Sequence, residues 1–440
     1  MKHLKSILLG CTALSFASTT YAQDPNAQNP MSKQPALTII HAGKVLSVPG
    51  KDPLSEQTIY IRGTKIEKIV SGYIVEKGAS IIDLTDNFVL PGLIDSHVHL
   101  SMEFNPNIRL DRVTKRPGDI AYDAWSNANK TLLAGFTAVQ DVGGPEEIFA
   151  LRDAVNKGTV SGPRIRASGR AISPTGGHGD THGYRQDILD LFHSPTICDG
   201  PSDCRRATRT AIKAGADVVK ITATGGVLSN TAAGTEQQFF DDELEAIADT
   251  AAKMGRKVTA HAHGKTGIDS ALRAGIKSIE HGTYLDVETA RLFKKHDAVL
   301  VPTVLAGMTV VDWAKNKNWL PPASKAKALK VGPQMKDMLS IAYTNGVTIA
   351  FGTDTGVSKH GDNAREFGYM VDAGMSEMDA IKAATITAAA HLEMGETIGT
   401  IEPGKFADII AVNGNPLTHI EELYNVDFVM KNGVVYKGGE

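Results

Sequence analysis

Between residues 92 and 392 the chain alternates short β-rich runs with stretches of helical periodicity, and it does so eight times. The β-rich runs span residues 92–99, 136–142, 164–172, 217–224, 257–263, 277–281, 298–304 and 348–354. The segments between them carry apolar residues at helical spacing, as in Leu244, Ile247, Ala248 and Ala251, and Ser376 with Asp379 opens one of them as a capping box. Alternation of this kind predicts an α/β fold of parallel strands joined by helical crossovers, and eight units predict a closed (β/α)8 TIM barrel. A doubly wound open sheet is the competing arrangement, but no glycine-rich phosphate turn follows the first strand. Shorter β-rich runs precede the barrel (37–46, 57–63, 81–84) and follow it (408–412, 428–430, 433–436). They predict a small β-sandwich domain built from both chain ends, residues 37–90 with 401–440, around a barrel of residues 91–400.

Ahead of these elements, residues 1–22 read as a secretory signal peptide. Lys2 and Lys5 supply its positive start, Ile7 to Ala17 its apolar stretch, and Thr20-Tyr21-Ala22 its small-residue cleavage site. Leu8-Leu9-Gly10-Cys11 also resembles a lipoprotein cleavage box, but few apolar residues precede it, and simple export is the preferred reading. A polar linker follows over residues 23–36. The apolar stretch is too short to span a membrane, which takes about 20 residues. The expected location is therefore periplasmic or secreted. In an oxidising compartment Cys198 and Cys204, separated by Asp199 and Gly200-Pro201, are expected to form a disulfide. A formal net charge of -3 without any Lys/Arg-rich run argues against nucleic acid as a partner.

Catalytic groups of such barrels sit at the C-terminal ends of the strands. Here those ends read His97-Val98-His99, Lys220, His261-Ala262-His263, His281 and Asp354. Side chains two apart on a strand share a face, so His97 and His99 can point at one ion. A single histidine is more often a packing or surface residue. Five histidines and an aspartate at four strand ends instead point to a metal site. Lys220 lies within the apolar run Val218-Val219-Lys220-Ile221, where a buried unpaired charge is expensive. Reaction of its amine with carbon dioxide would turn it into an anionic carbamate able to bridge two cations. His178, within the glycine-rich residues 176–183, suits a mobile loop over the pocket, with His182 and His193 weaker candidates. A second glycine run, residues 225–229, follows Lys220, while His41, His296, His360, His391 and His419 read as surface or packing residues.

Pro91-Gly92-Leu93-Ile94-Asp95-Ser96-His97-Val98-His99, together with Lys220, His261, His281 and Asp354, resembles the amidohydrolase superfamily over essentially the whole mature chain. Gly404-Lys405-Phe406-Ala407-Asp408-Ile409 is similar to its return into the small domain. The resemblance implies two divalent metal ions, usually zinc, with manganese or cobalt also compatible. His97, His99 and Asp354 would bind one, His261 and His281 the other, with N6-carboxylated Lys220 between them. It further implies a metal-bridging hydroxide as nucleophile and Asp354 as the group that passes its proton to the leaving amine. His263 would polarise the carbonyl or form a supporting hydrogen bond, and His178 would contact substrate. The residues around His178, Lys220 and His261 look like the branch of metal-dependent dipeptidases and ochratoxin amidohydrolases. Hydrolysis of a dipeptide or N-acyl amino acid is therefore expected, in a homo-oligomer that relatives suggest is an octamer. Three alternatives stay open: an imidazolonepropionase-like cyclic amidohydrolase, which would need no Lys220; a lactone or phosphotriester hydrolase; and an inactive binding relative, which would have lost ligands.

Overall fold

A computed structural model of the chain describes residues 36–230 and 234–439. The segment expected to be a signal peptide, and the linker apart from Ala36, lie outside the described residues. The chain enters a small sheet first. β1 (Leu37–Val45) pairs antiparallel with β2 (Leu54–Arg62), and β2 pairs with β3 (Lys65–Ser71). β4 (Ser80–Pro91) lies parallel to β1 on its other side, setting Ile40 between Ile59 and Ile82. The β1–β4 register shifts at Gly43, where a Cβ would stand 2.0 Å from the Thr85 carbonyl oxygen, so only glycine fits there.

β4 runs across Gly92 straight into the barrel, with no linker between. The barrel strands are β5 (Leu93–Val98), β6 (Phe136–Asp141), β7 (Arg164–Ala167), β8 (Val219–Thr222), β9 (Val258–Ala262), β10 (Ser278–His281), β11 (Val299–Val301) and β12 (Thr348–Ile349). All pair in parallel, as one ladder from β5 to β7 and another from β8 to β12. Two joints close the ring. Ile172 lies beside Ile221, donating its N–H to Lys220 and accepting from Thr222. Beyond β12, Ser96 donates to Phe351, and Asp354 donates to His97. Each strand lies within a segment expected from the sequence. The third is shorter than its run because Gly169 turns left-handed (φ 65°) and breaks the ladder before Ile172 rejoins it. β5, β6, β8 and β9 are buried at every position, since helices cover their outer faces, so the polar residues within them, among them Asp95, His97, Asp141, Lys220 and His261, are buried too. The covering helices behave as their spacing predicts. The helix Asp241–Lys253 buries Leu244, Ile247 and Ala251, and Ser376 caps Glu377–Lys382 by accepting the Asp379 N–H at 3.1 Å.

The chain then returns. β13 (Ile409–Val412) pairs antiparallel with β4, followed by β14 (Phe428–Lys431) and β15 (Val434–Lys437). The result is one seven-stranded sheet in the order β15-β14-β13-β4-β1-β2-β3. It folds over its own core of Ile40, Ile59, Ile82, Ile409 and Phe428, and Lys65 on β3 bridges to Phe406 ahead of β13. The sandwich is thus a single sheet curled on itself. Cys198 and Cys204 are joined by a disulfide, with Gly200 turning the chain (φ 77°) so that Pro201 can begin the helix Pro201–Ala214. Among the described residues, no helix is long and apolar enough to cross a membrane.

Sheet and barrel are locked by Arg164 at the start of β7. Its guanidinium lies 2.7 Å from the buried Asp408 carboxylate and 2.5 Å from the Asn432 side-chain oxygen, and it stacks on Phe406. Asp408→Ala strands this guanidinium in a buried setting and also removes the acceptor of the Asn432 N–H. The expected loss is about 3–5 kcal/mol of unfolding free energy, measured by urea denaturation.

Candidate active site

The site lies where the strand ends converge, and most of its side chains are buried. The Nε2 atoms of His97 and His99 stand 3.5 and 3.2 Å from one Asp354 oxygen. His281 neighbours His97 (ring centroids 5.3 Å), His261 (4.6 Å) and His263 (4.8 Å). Two sets of donors, His97 with His281 and Asp354, and His261 with His263 and His281, each offer ligand atoms within 4.8 Å of one another. Lys220 is 4% exposed on β8, whose pairing sets it beside Thr259 and puts Thr222 beside His261.

Most of these imidazoles have one nitrogen already committed. His97 Nδ1 lies 2.6 Å from Glu280, and His99 Nδ1 lies 2.7 Å from the Gly143 carbonyl. A carboxylate and a carbonyl accept and do not donate, so both rings carry their proton on Nδ1 and turn an Nε2 lone pair inward. His263 and His281 pair their Nδ1 atoms with Thr283 and Thr303, each at 2.7 Å. Burial, reinforced by neighbouring cations, pushes His97, His261 and His281 well below the usual imidazole range. They are neutral donors, the form a metal ligand requires. His99 departs from this pattern. Burial lowers it too, but the hydrogen bond and charge of Asp354 outweigh that and raise it. Burial also lowers Lys220 against the pull of Glu280, Asp354 and Asp141. This donor set fits divalent cations: neutral nitrogens, one carboxylate and fixed tautomers, arranged in two overlapping groups.

Backbone strain concentrates here. His281 (φ 71°), Thr303 (φ 51°) and Asp354 (φ 57°) all occupy the left-handed region, which a β-branched threonine in particular avoids. Such conformations cost on the order of 1–3 kcal/mol each and persist where the surroundings impose them.

His178 reaches the site as well, stacked on His261 with ring centroids 4.3 Å apart and Nδ1 3.2 Å from the Ser229 hydroxyl. The glycine-rich loop that carries it is hydrogen-bonded at several points. Gln238 accepts the His178 N–H at 2.8 Å, Ser173 accepts from Gly179, and Asp180 accepts from Gly176. Gly226 lets the ring approach, since a Cβ there would fall 2.2 Å from it. His182 instead bonds the Gly177 carbonyl at 2.8 Å, and His391 lies beside Gln140. Several supporting residues carry no sequence signal. Glu280 is fully buried and accepts from Ser278 and Thr259 as well as His97. Asp141, Thr283 and Thr303 are further examples. Glu280 directly precedes a predicted ligand, but only the fold shows that it faces His97.

Comparison with known proteins agrees with this geometry. The model of the amidohydrolase family matches residues 88–436. Ochratoxinase of Aspergillus niger is 32% identical over 460 residues, covering 97% of this chain and 94% of that protein. A solved Xaa-Pro dipeptidase with methionine bound in its active site is 42% identical, with a TM-score of 0.88 over 92% of this chain and 100% of that one. The crystal structure of A. niger ochratoxinase gives 0.80 at 31% identity, covering 92% and 96%. Imidazolonepropionase of Thermoplasma volcanium is 24% identical, covering 86% of this chain and 89% of that protein. The chain belongs to the amidohydrolase family and is a hydrolase acting on amide bonds.

Two substitutions test the supporting contacts. Glu280→Gln keeps an acceptor but loses the charge on His97, and is expected to weaken divalent-cation affinity about 10–100-fold in a chelator-competition titration. Gly226→Ala drives a methyl group into the His178 ring. Activity should fall while the far-UV circular dichroism stays unchanged.

Proposed function

We propose that this amidohydrolase cleaves the amide bond of dipeptides or N-acyl amino acids at a two-metal centre, releasing an amino acid with a free carboxylate. The observation that carries the reading is the convergence of His97, His99, His261, His281 and Asp354 around Lys220, with the lone pairs of His97 and His99 fixed inward by Glu280 and Gly143. His97, His99 and Asp354 would hold one divalent cation. His261 and His281 would hold the other, with Lys220 between them as its carbamate. Bound cations, zinc by their nitrogen-rich donor set, would polarise the scissile carbonyl and lower the pKa of a water molecule toward neutrality.

The remaining steps belong to the protein's own groups. Asp354 lies within hydrogen-bond reach of His99 and is the only carboxylate in either donor group found among the described residues. It is the group suited to take a proton from the attacking water and return it to the departing amine. His263, with Nδ1 held by Thr283, has Nε2 left to face the carbonyl oxygen. His178, stacked on His261 and backed by Ser229, would contact the substrate. Ochratoxinase and the Xaa-Pro dipeptidase, similar over nearly the whole chain, support an amide between an acyl group and an amino acid. Lys220 favours this reading over an imidazolonepropionase-like one. The disulfide and the N-terminal sequence support export to the periplasm or beyond, and the similarity to the dipeptidase branch supports a homo-oligomer.

Elemental analysis of the purified protein should find two divalent ions per chain, and Lys220→Ala should reduce that number. Asp354→Asn should lower kcat on a responsive dipeptide or N-acyl amino acid about a thousandfold with the fold intact. Turnover of cyclic ureides or lactones alone would overturn the amide reading.

A further inference from the structure

Several loops leaving the strand ends bring half-buried apolar side chains to one place. Phe104 follows β5, Val227 and Leu228 follow β8, Trp313 lies on the helix Val304–Asn316 after β11, and Trp319 lies on the turn beyond it. They pack on a small apolar cluster distinct from the barrel core, with Trp313 4.9 Å from Trp319 and 6.3 Å from Phe104 between ring centroids. This cluster borders the donor set on two sides. The Phe104 N–H bonds Gly356 at 2.6 Å, Gly356 stands against His99, and Val357 of the cluster bonds back to Asp354 at 3.0 Å. On the other side the loop of Val227 and Leu228 begins at Gly226, the residue that touches His178.

A cation stands between the two. Lys327 on the helix Pro322–Thr344 donates to the carbonyls of Gly226 (2.7 Å) and Ser229 (2.9 Å), and its neighbour Ala328 belongs to the cluster. Its charge reaches the site histidines, where after burial it is a further cause of the lowered pKa of His178 and His263. An anion near this loop gains from that field, and an apolar group beside it gains from leaving water.

We infer that the cluster of Phe104, Val227, Leu228, Trp313 and Trp319 is the subsite for the side chain of the released residue, which is therefore a large apolar or aromatic amino acid whose carboxylate lies toward Lys327. The inference rests on the proposed amide hydrolysis and narrows its substrate. Glycine leaves these surfaces uncovered, and an acidic side chain would be desolvated against them without a partner.

The test compares kcat/KM for N-acetyl-L-phenylalanine, N-acetyl-L-leucine, N-acetylglycine and N-acetyl-L-aspartate on the metal-loaded full chain. Phenylalanine and leucine should exceed glycine and aspartate by about tenfold or more. Trp319→Ala and Leu228→Gln should each pull the phenylalanine-to-glycine ratio toward one. That ratio is measured on a single preparation, so the fraction of folded enzyme cancels. Lys327→Met should raise KM for the apolar substrates. A second readout needs no turnover. The chain has 3 tryptophans, so Trp125→Phe leaves Trp313 and Trp319 as the reporters, and L-leucine should shift their fluorescence saturably while L-aspartate does not. Turnover without apolar preference would overturn the subsite and leave the amide reading standing. A fluorescence response without turnover of any N-acyl amino acid, or of the dipeptides Gly-Phe and Gly-Leu assayed beside them, would support the subsite and overturn that reading. Absence of both would overturn both.

Discussion

A single buried carboxylate holds the first and last strands of the barrel in register. Asp95 on β5 accepts the N–H groups of His97 and Thr353 through one oxygen, at 3.0 and 3.1 Å. Through the other it accepts the Thr353 hydroxyl at 2.6 Å and the Asn363 amide at 2.8 Å. These contacts close the ring where β12 is only two residues long and supplies little ladder of its own. They also fix two members of one donor group, since His97 and Asp354 each sit next to or within this clamp. Asp141 does similar work on the neighbouring strand, accepting from Leu100 and Gly143 and so presenting the Gly143 carbonyl to His99. The geometry of the donors is set one layer below them, by carboxylates outside both donor groups.

That layering decides what could be read in advance. The strands were legible because β-rich runs alternate with helical periodicity, and the candidate site was legible because histidines, a lysine and an aspartate recur at or near the ends of those runs. His97 and His99 needed only the two-residue period of a strand. His281 could not be placed that way. Glu280 and His281 are adjacent, so an extended strand would turn them to opposite faces, yet Glu280 bonds His97 and His281 joins the same site. The left-handed backbone at His281 cancels the alternation, and no residue pattern announces it. The same holds for His178. Its glycine-rich flanks suggest freedom, while the contacts with Gln238 and Ser229 that restrain it come from residues some 50 to 60 positions away.

The small sheet shows another limit. Most of its strands were visible at both ends of the chain, though β3 and the second half of β4 were not, and neither was their pairing. β4 meets β1 on one edge and β13 on the other, across more than 300 residues of sequence, and local propensity carries no information about that distance. The apolar mouth is similar. Phe104, Leu228 and Trp319 lie on three separate loops, and each taken alone is an ordinary partly exposed residue.

Charge supplies the strongest constraint on what the site can hold. Around it the barrel buries Asp95, Asp141, Glu280, Asp354 and Glu366, against Lys220 as the ammonium at their centre. Burial pushes Asp95 up to about 7, Asp141 to about 6 and Glu366 to about 8, so this interior resists its own negative charge. Asp354 escapes only because His97, His99 and Lys220 more than offset its burial. Converting Lys220 to a carbamate would exchange the one central cation for another anion, which is unfavourable in isolation. Divalent cations beside a free ammonium would be repelled in turn. Each change would become favourable once the other had occurred, because the cations would neutralise the carbamate and the surrounding carboxylates together. On the proposed function, metal binding and carboxylation of Lys220 would therefore be one linked event, and chelation of any bound ions would be expected to return the lysine to a free amine.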